Sequence, residues 1–112
     1  MTKPLFTLDT REVDVAGGTP ATVVEVGGEV DVGNADDFEQ ALRDVSGPRP
    51  LVTDLSRLVY IDSAGFAVLD QLLADGVVTI VLGAHSPIAA AAELMDLPSH
   101  DTVAAALAGA GG

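Results

Sequence analysis

Between Thr22 and Val45 the spacing of apolar residues changes period, and this change constrains the fold more than any other feature of the chain. Thr22, Val24, Val26, Gly28 and Val30 recur at every second position, which places them on one face of a β-strand. Ala35, Phe38, Leu42 and Val45 follow at spacings of three and four, as one buried helical face requires. Asn34 precedes them as a good N-cap residue, and Asp36 and Asp37 suit the positive end of the helix. Gly47-Pro48 stops it.

The same alternation repeats downstream. Leu51 to Leu55 reads as a short buried strand and Ser56 to Asp62 as a loop. A second helix starts near Ser63, with Phe66, Leu69, Leu72 and Leu73 on its apolar face, and ends at Asp75-Gly76. Val77 to Leu82 is a continuous apolar run, as in a strand covered on both faces. Ser86-Pro87 is a cap followed by proline at the first helical position, opening a third helix to about Met95. Asp101 caps a last short helix carrying Val103 and Leu107. Upstream, residues 5–15 mix β-formers with charge and predict an edge strand. The turn cluster Gly17-Gly18-Thr19-Pro20 joins it antiparallel to the next strand. The order β-β-α-β-α-β-α, then a final α, predicts an α/β fold with a mainly parallel sheet and right-handed crossovers. The 112 residues suit one domain able to bury a core without disulfides or metal. That domain is expected over residues 1–108, with 109–112 a flexible tail.

Charge excludes some functions. Lys and Arg number 5 against 17 Asp and Glu, a formal net charge of −12. Nucleic-acid phosphates and anionic membranes both call for a basic face, so neither is an expected partner. The acidic surface confers solubility, or steers the chain toward a basic partner. With no cysteine, disulfides, thiol catalysis and thiolate metal sites are absent. Met1 to Leu8 lacks the charged-then-apolar form of a signal peptide, and no transmembrane run is visible, so the expected location is cytoplasmic.

No Gly-x-x-x-x-Gly-Lys-Ser/Thr loop and no Gly-x-Gly-x-x-Gly after a strand is present, so no cofactor is expected. His85 and His100 are the only histidines. A triad of Ser63, His85 and a carboxylate lacks the Gly-x-Ser-x-Gly elbow that exposes a hydrolase nucleophile, and two histidines fifteen positions apart make no metal site. The informative segment is Tyr60-Ile61-Asp62-Ser63-Ala64-Gly65-Phe66. A small polar residue at a helix start is ordinary capping chemistry. The same position makes the Ser63 hydroxyl reachable, and a helix N-terminus tolerates a phosphate. Such a phosphate would add about −1.5 to −2 charge beside Asp62.

Two segments resemble the STAS family, and in particular its anti-sigma-factor antagonists. One is Gly28-Glu29-Val30-Asp31 with the helix after it. The other runs Asp54-Leu55-Ser56-Arg57-Leu58-Val59-Tyr60-Ile61-Asp62-Ser63-Ala64-Gly65, similar to the family's Asp-Leu, apolar stretch and Asp-Ser-x-Gly. Ser86-Pro87 and Leu94-Met95-Asp96-Leu97 resemble its third helix. The resemblance implies a four- to five-stranded mixed sheet with helices mostly on one face. It implies that the unphosphorylated chain binds an anti-sigma factor, a serine kinase of the GHKL type, and frees a sigma factor. The kinase would phosphorylate Ser63 and a PP2C-type phosphatase would restore it. Asp31, Asp62, Ser63, Ala64, Gly65 and Phe66 are the implied partner-binding residues. The chain departs from the family pattern in a segment between Ser63 and Ser86 about one helical turn, or about four residues, shorter. It also lacks basic residues late on the second helix, and Pro98-Ser99-His100 makes a poor last strand. The expected function is a monomeric, non-enzymatic switch. The alternatives are a STAS scaffold subunit of a membrane-transport or signalling complex, and a hydrolase needing Ser63 and a histidine.

Overall fold

In the computed structural model, which describes residues 5–15, 18, 20–47 and 49–110, the predicted order of elements is present. It runs β1 (Phe6–Val13), β2 (Ala21–Val30), α1 (Ala35–Val45), β3 (Leu51–Ile61), α2 (Ser63–Ala74), β4 (Val78–Val81), α3 (Ala89–Leu94) and α4 (Val103–Ala110). Gly17 and Thr19 of the expected turn, Pro48 of the expected helix stop, and Gly111-Gly112 of the expected tail lie outside the described residues.

The sheet has four strands in the order β1-β2-β3-β4. β1 pairs antiparallel with β2, and the β2–β3 and β3–β4 pairs are parallel. A fifth strand is reduced to one bridge, in which His100 N–H donates to Ile80 O at 2.8 Å and His100 O accepts from Leu82 N–H at 2.9 Å. The next donor in that register belongs to residue 98, a proline with no N–H, so the ladder stops there.

β3 is longer than expected: most of the segment Ser56–Asp62 is strand, not loop. Its register against β2 shifts twice, between Glu25 and Gly27 and between Gly28 and Glu29. Each shift adds a residue to β3, so its buried positions Leu55, Leu58 and Ile61 recur every third residue. That spacing hides the strand from a period-two rule.

The main core lies between the sheet and α1, α2 and α3. Val24, Val26, Val30, Leu55, Leu58 and Ile80 meet Phe38, Leu42, Phe66, Leu69, Leu72, Ile88 and Ala92 there. Phe6 of β1 packs edge-on against Phe38, with ring centroids 5.4 Å apart, which ties the edge strand to α1. Among the described residues only α4 crosses to the other face, where Ala106 closes a small cluster over Val23, Val52 and Val81. Val45 departs from the expected helical face and is 36% exposed at the end of α1.

Three caps also differ from expectation. The Asn34 side chain makes no cap bond to α1. Ser86 Oγ donates to Gly83 O at 2.7 Å and α3 begins only at Ala89, so Ser86-Pro87 forms a turn ahead of the helix. At α4 it is Thr102 Oγ1, not Asp101, that accepts from the first turn, from Ala105 N–H at 3.1 Å.

Candidate functional site

The parallel strands β2 and β3 end side by side, with Val30 level with Ile61, and the connections leaving them build the site. After β2 the chain turns through residues 31–34 under local polar control. Asp31 Oδ1 accepts from Gly33 N–H at 2.7 Å, a tight Asx turn. The buried Asn34 amide faces backward: its Oδ1 accepts from Asp31 N–H at 2.9 Å and its Nδ2 donates to Glu29 O at 3.0 Å. Asn34 therefore stitches the end of β2 to the start of α1. The density of Asp, Gly and Asn over residues 31–34 signals this turn chemistry; Asn34 holds the N-cap position expected of it, but its side chain serves the turn and not the helix.

After β3 a single residue, Asp62, makes the connection to α2. It is the N-cap, with Oδ1 accepting from Gly65 N–H at 3.1 Å. Its other oxygen, Oδ2, accepts from Val32 N–H at 3.1 Å, thirty residues away in the chain. One carboxylate thus joins the head of α2 to the β2–α1 turn, and the Asp31 segment lies directly against Asp62. Capping falls to Asp62, so Ser63 is relieved of that duty. Ser63 is the first helical residue, exposed, and its hydroxyl makes no hydrogen bond among the described residues.

Behind Ser63 the helix presses onto the strand ends. A Cβ on Gly65 would lie 2.5 Å from Ile61 Cγ1 and 3.0 Å from Val30 Cγ1, closer than packed carbons come, so glycine sets the helix–sheet separation. Gly65 and Phe66, both expected on a docking surface, are buried, Phe66 to 4% exposure within the main core. Ala64 is half-buried and borders a groove of about 350 Å³ between α1 and α2. Val32, Ala35, Ala67 and Val68 give the groove an apolar lining, and Asp36 and Glu39 add acidic groups to it. Val32 itself is 81% exposed.

The far end of the helix pair is held by charge. Arg43 on α1 donates to Glu39 and, at 2.7 Å, to Asp75 Oδ2 at the end of α2. Hydrogen bonds first from Arg43 and then from Gln71 hold the Asp75 carboxyl below the usual aspartate range. Neither His85 nor His100 hydrogen-bonds Ser63. No group of three or more His, Asp or Glu side chains suited to a metal occurs among the described residues, and no helix is long and apolar enough to cross a membrane.

The topology and the site define a small α/β domain whose second helix starts with an exposed serine beside paired strand ends. A family model for the STAS domain matches residues 10–108, and the chain belongs to that family. A comparison with curated proteins returns no match. Among solved structures the chain is similar to an anti-sigma factor antagonist from Mycobacterium paratuberculosis. The two share 26% identity and a TM-score of 0.66, over 95% of this chain and 96% of that one. It is also similar in fold to an antisigma-factor antagonist, a STAS domain from Rhodobacter sphaeroides. That match has 18% identity and a TM-score of 0.50, over 88% of this chain and 97% of the other.

Proposed function

We propose that this chain is an anti-sigma-factor antagonist switched by phosphorylation of Ser63. The observation that carries the reading is an exposed serine, with no side-chain hydrogen bond among the described residues, at the head of α2 in a chain similar to an anti-sigma factor antagonist. In its unmodified form the protein docks through the Ser63 end of α2 and the neighbouring groove onto an anti-sigma factor, a serine kinase of the GHKL type, in the cytoplasm. Asp31, Asp62, Ser63 and Ala64 form the contact rim. Gly65 and Phe66 act from beneath it, holding α2 on the sheet.

Switching is phosphoryl transfer. Ser63 Oγ attacks the γ-phosphorus of ATP held by the kinase. The new Oγ–P bond forms as the bond to the β–γ bridging oxygen breaks; ADP leaves, and the hydroxyl proton passes to a base on the kinase or to water. A PP2C-type phosphatase reverses the change by hydrolysis, releasing inorganic phosphate and restoring the hydroxyl. The phosphate adds about −1.5 to −2 charge at the rim. A mismatch of about 1.4 kcal/mol already weakens docking tenfold.

The test is affinity for the cognate kinase with and without ATP. Ser63→Ala is expected to bind in the presence of ATP and to stay bound, and Ser63→Glu to bind less well, with circular dichroism unchanged for both. If both variants bind like the wild type and mass spectrometry finds no phosphate on Ser63 after incubation with kinase and ATP, the switch reading fails. A pull-down that retrieves a transporter in place of a kinase would establish the scaffold role instead.

A further inference from the structure

Asp62 occupies an unusual mechanical position. Its two carboxylate oxygens hold two backbone N–H groups that belong to different segments, Gly65 in α2 and Val32 in the β2–α1 turn. The residue it precedes is the exposed Ser63. The neighbouring bonds of the turn do not depend on it: Gly33 N–H is held by Asp31 and Asp31 N–H by Asn34. Val32 N–H, by contrast, is held by an acceptor from across the site.

We infer that the Asp62 carboxylate is a latch between α2 and the β2–α1 turn, and that a phosphate on Ser63 opens it. The inference rests on Ser63 being the modified residue. A phosphate one residue from Asp62 carries about twice the charge of a carboxylate. It seeks the same N–H donors at the head of α2 that Asp62 caps. Two anions sharing one site disfavour each other, and the phosphate brings three acceptor oxygens to the contest. Asp62 yields, and Val32 N–H loses its acceptor. Val32 of the turn and Ala35 of α1 line the groove together with Ala64, Ala67 and Val68 of α2. Opening the latch thus alters the groove away from the phosphate itself. Charge at Ser63 is transmitted to the apolar surface beside it.

The latch can be tested without any kinase. Phosphoserine is placed at residue 63 during translation by codon reassignment, and fast amide exchange is measured by NMR on the full chain. Val32 N–H is expected to exchange about tenfold faster than in the unmodified protein, the loss of one surface hydrogen bond. Gly33 N–H, held by Asp31, is expected to stay as it was. Asp62→Ala is expected to release Val32 without any phosphate, and phosphoserine added to that variant to change Val32 no further. If Asp62→Ala does not fold, the phosphoserine comparison in the wild-type chain decides alone. Unchanged Val32 exchange on phosphorylation overturns the latch, even where docking to the anti-sigma factor is lost. Released Val32 with undiminished docking leaves the latch standing and removes the switch.

Discussion

Gly28 shows how one residue decides a strand. It sits at φ +87° where the β2–β3 register shifts, and a Cβ there would strike Leu5 O and the Phe6 Cα of β1. A left-handed residue with a side chain costs about 1–2 kcal/mol before any clash. Gly28→Ala is expected to destabilise the domain by about 2 kcal/mol or more, read as a lower urea midpoint with an unchanged slope. Gly65 differs, since its constraint is space. Gly65→Ala pushes α2 away from Ile61 and Val30, and overpacking of this kind costs about 1–3 kcal/mol. Ser63→Ala, two residues away on the exposed side, is expected to shift stability by less than about 0.5 kcal/mol. Thermal unfolding of the two variants side by side separates the support of the site from its surface.

The helices end in related ways that differ in quality. At α2, Gly76 N–H donates to Leu73 O and Val77 N–H to Leu72 O, the paired bonds of a Schellman turn. At α3 the same pair runs from Asp96 N–H to Glu93 O and from Leu97 N–H to Ala92 O. There the left-handed position is filled by Asp96 at φ +53°. Leu97 and Ala92 both belong to the main core, so burial holds this turn in place against its own backbone preference. Asp96→Gly removes the penalty and is expected to raise stability by about 0.5–1 kcal/mol, seen as a higher Tm. Asp96→Val, branched at Cβ, is expected to lower it.

Charge acts across the whole molecule. The net −12 leaves few cations to order the surface, and Arg43 is used to tie α1 to the end of α2. Asp75 titrates below its ordinary range in the folded chain because of that guanidinium. Its contribution to stability is therefore complete above the ordinary aspartate range and lost as pH falls through the lowered value. The pair is solvent-exposed, so the effect is small and screened by salt. Arg43→Ala is expected to return the Asp75 carboxyl toward its ordinary range in an NMR titration and to weaken the acid-side stability of the wild type. High salt is expected to erase the difference in stability.

The order of elements was legible because it depends on local spacing. Period two over residues 22–30 and periods three and four over 35–42 each bury one face, whatever the rest of the chain does. The Asp62-Ser63-Ala64-Gly65 segment was legible as a helix start for the same reason. Other features are decided between segments. β3 reads as loop after Ser56 because its bulges exist only relative to β2. Asn34 looks like a cap, yet its amide is claimed by Glu29 O and Asp31 N–H once β2 ends where it does. Phe66 was legible as core from its spacing with Leu69 and Leu72, whereas Gly65, in the same motif as Ser63, is buried because of where Ile61 and Val30 lie. The bond from Val32 to Asp62 spans thirty residues, and no spacing rule reaches that far. Local sequence determined which elements form and where the site lies. Only the packing of β2 against β3 decided which donors meet the Asp62 carboxylate, because a carboxylate takes whichever N–H groups the fold brings within reach.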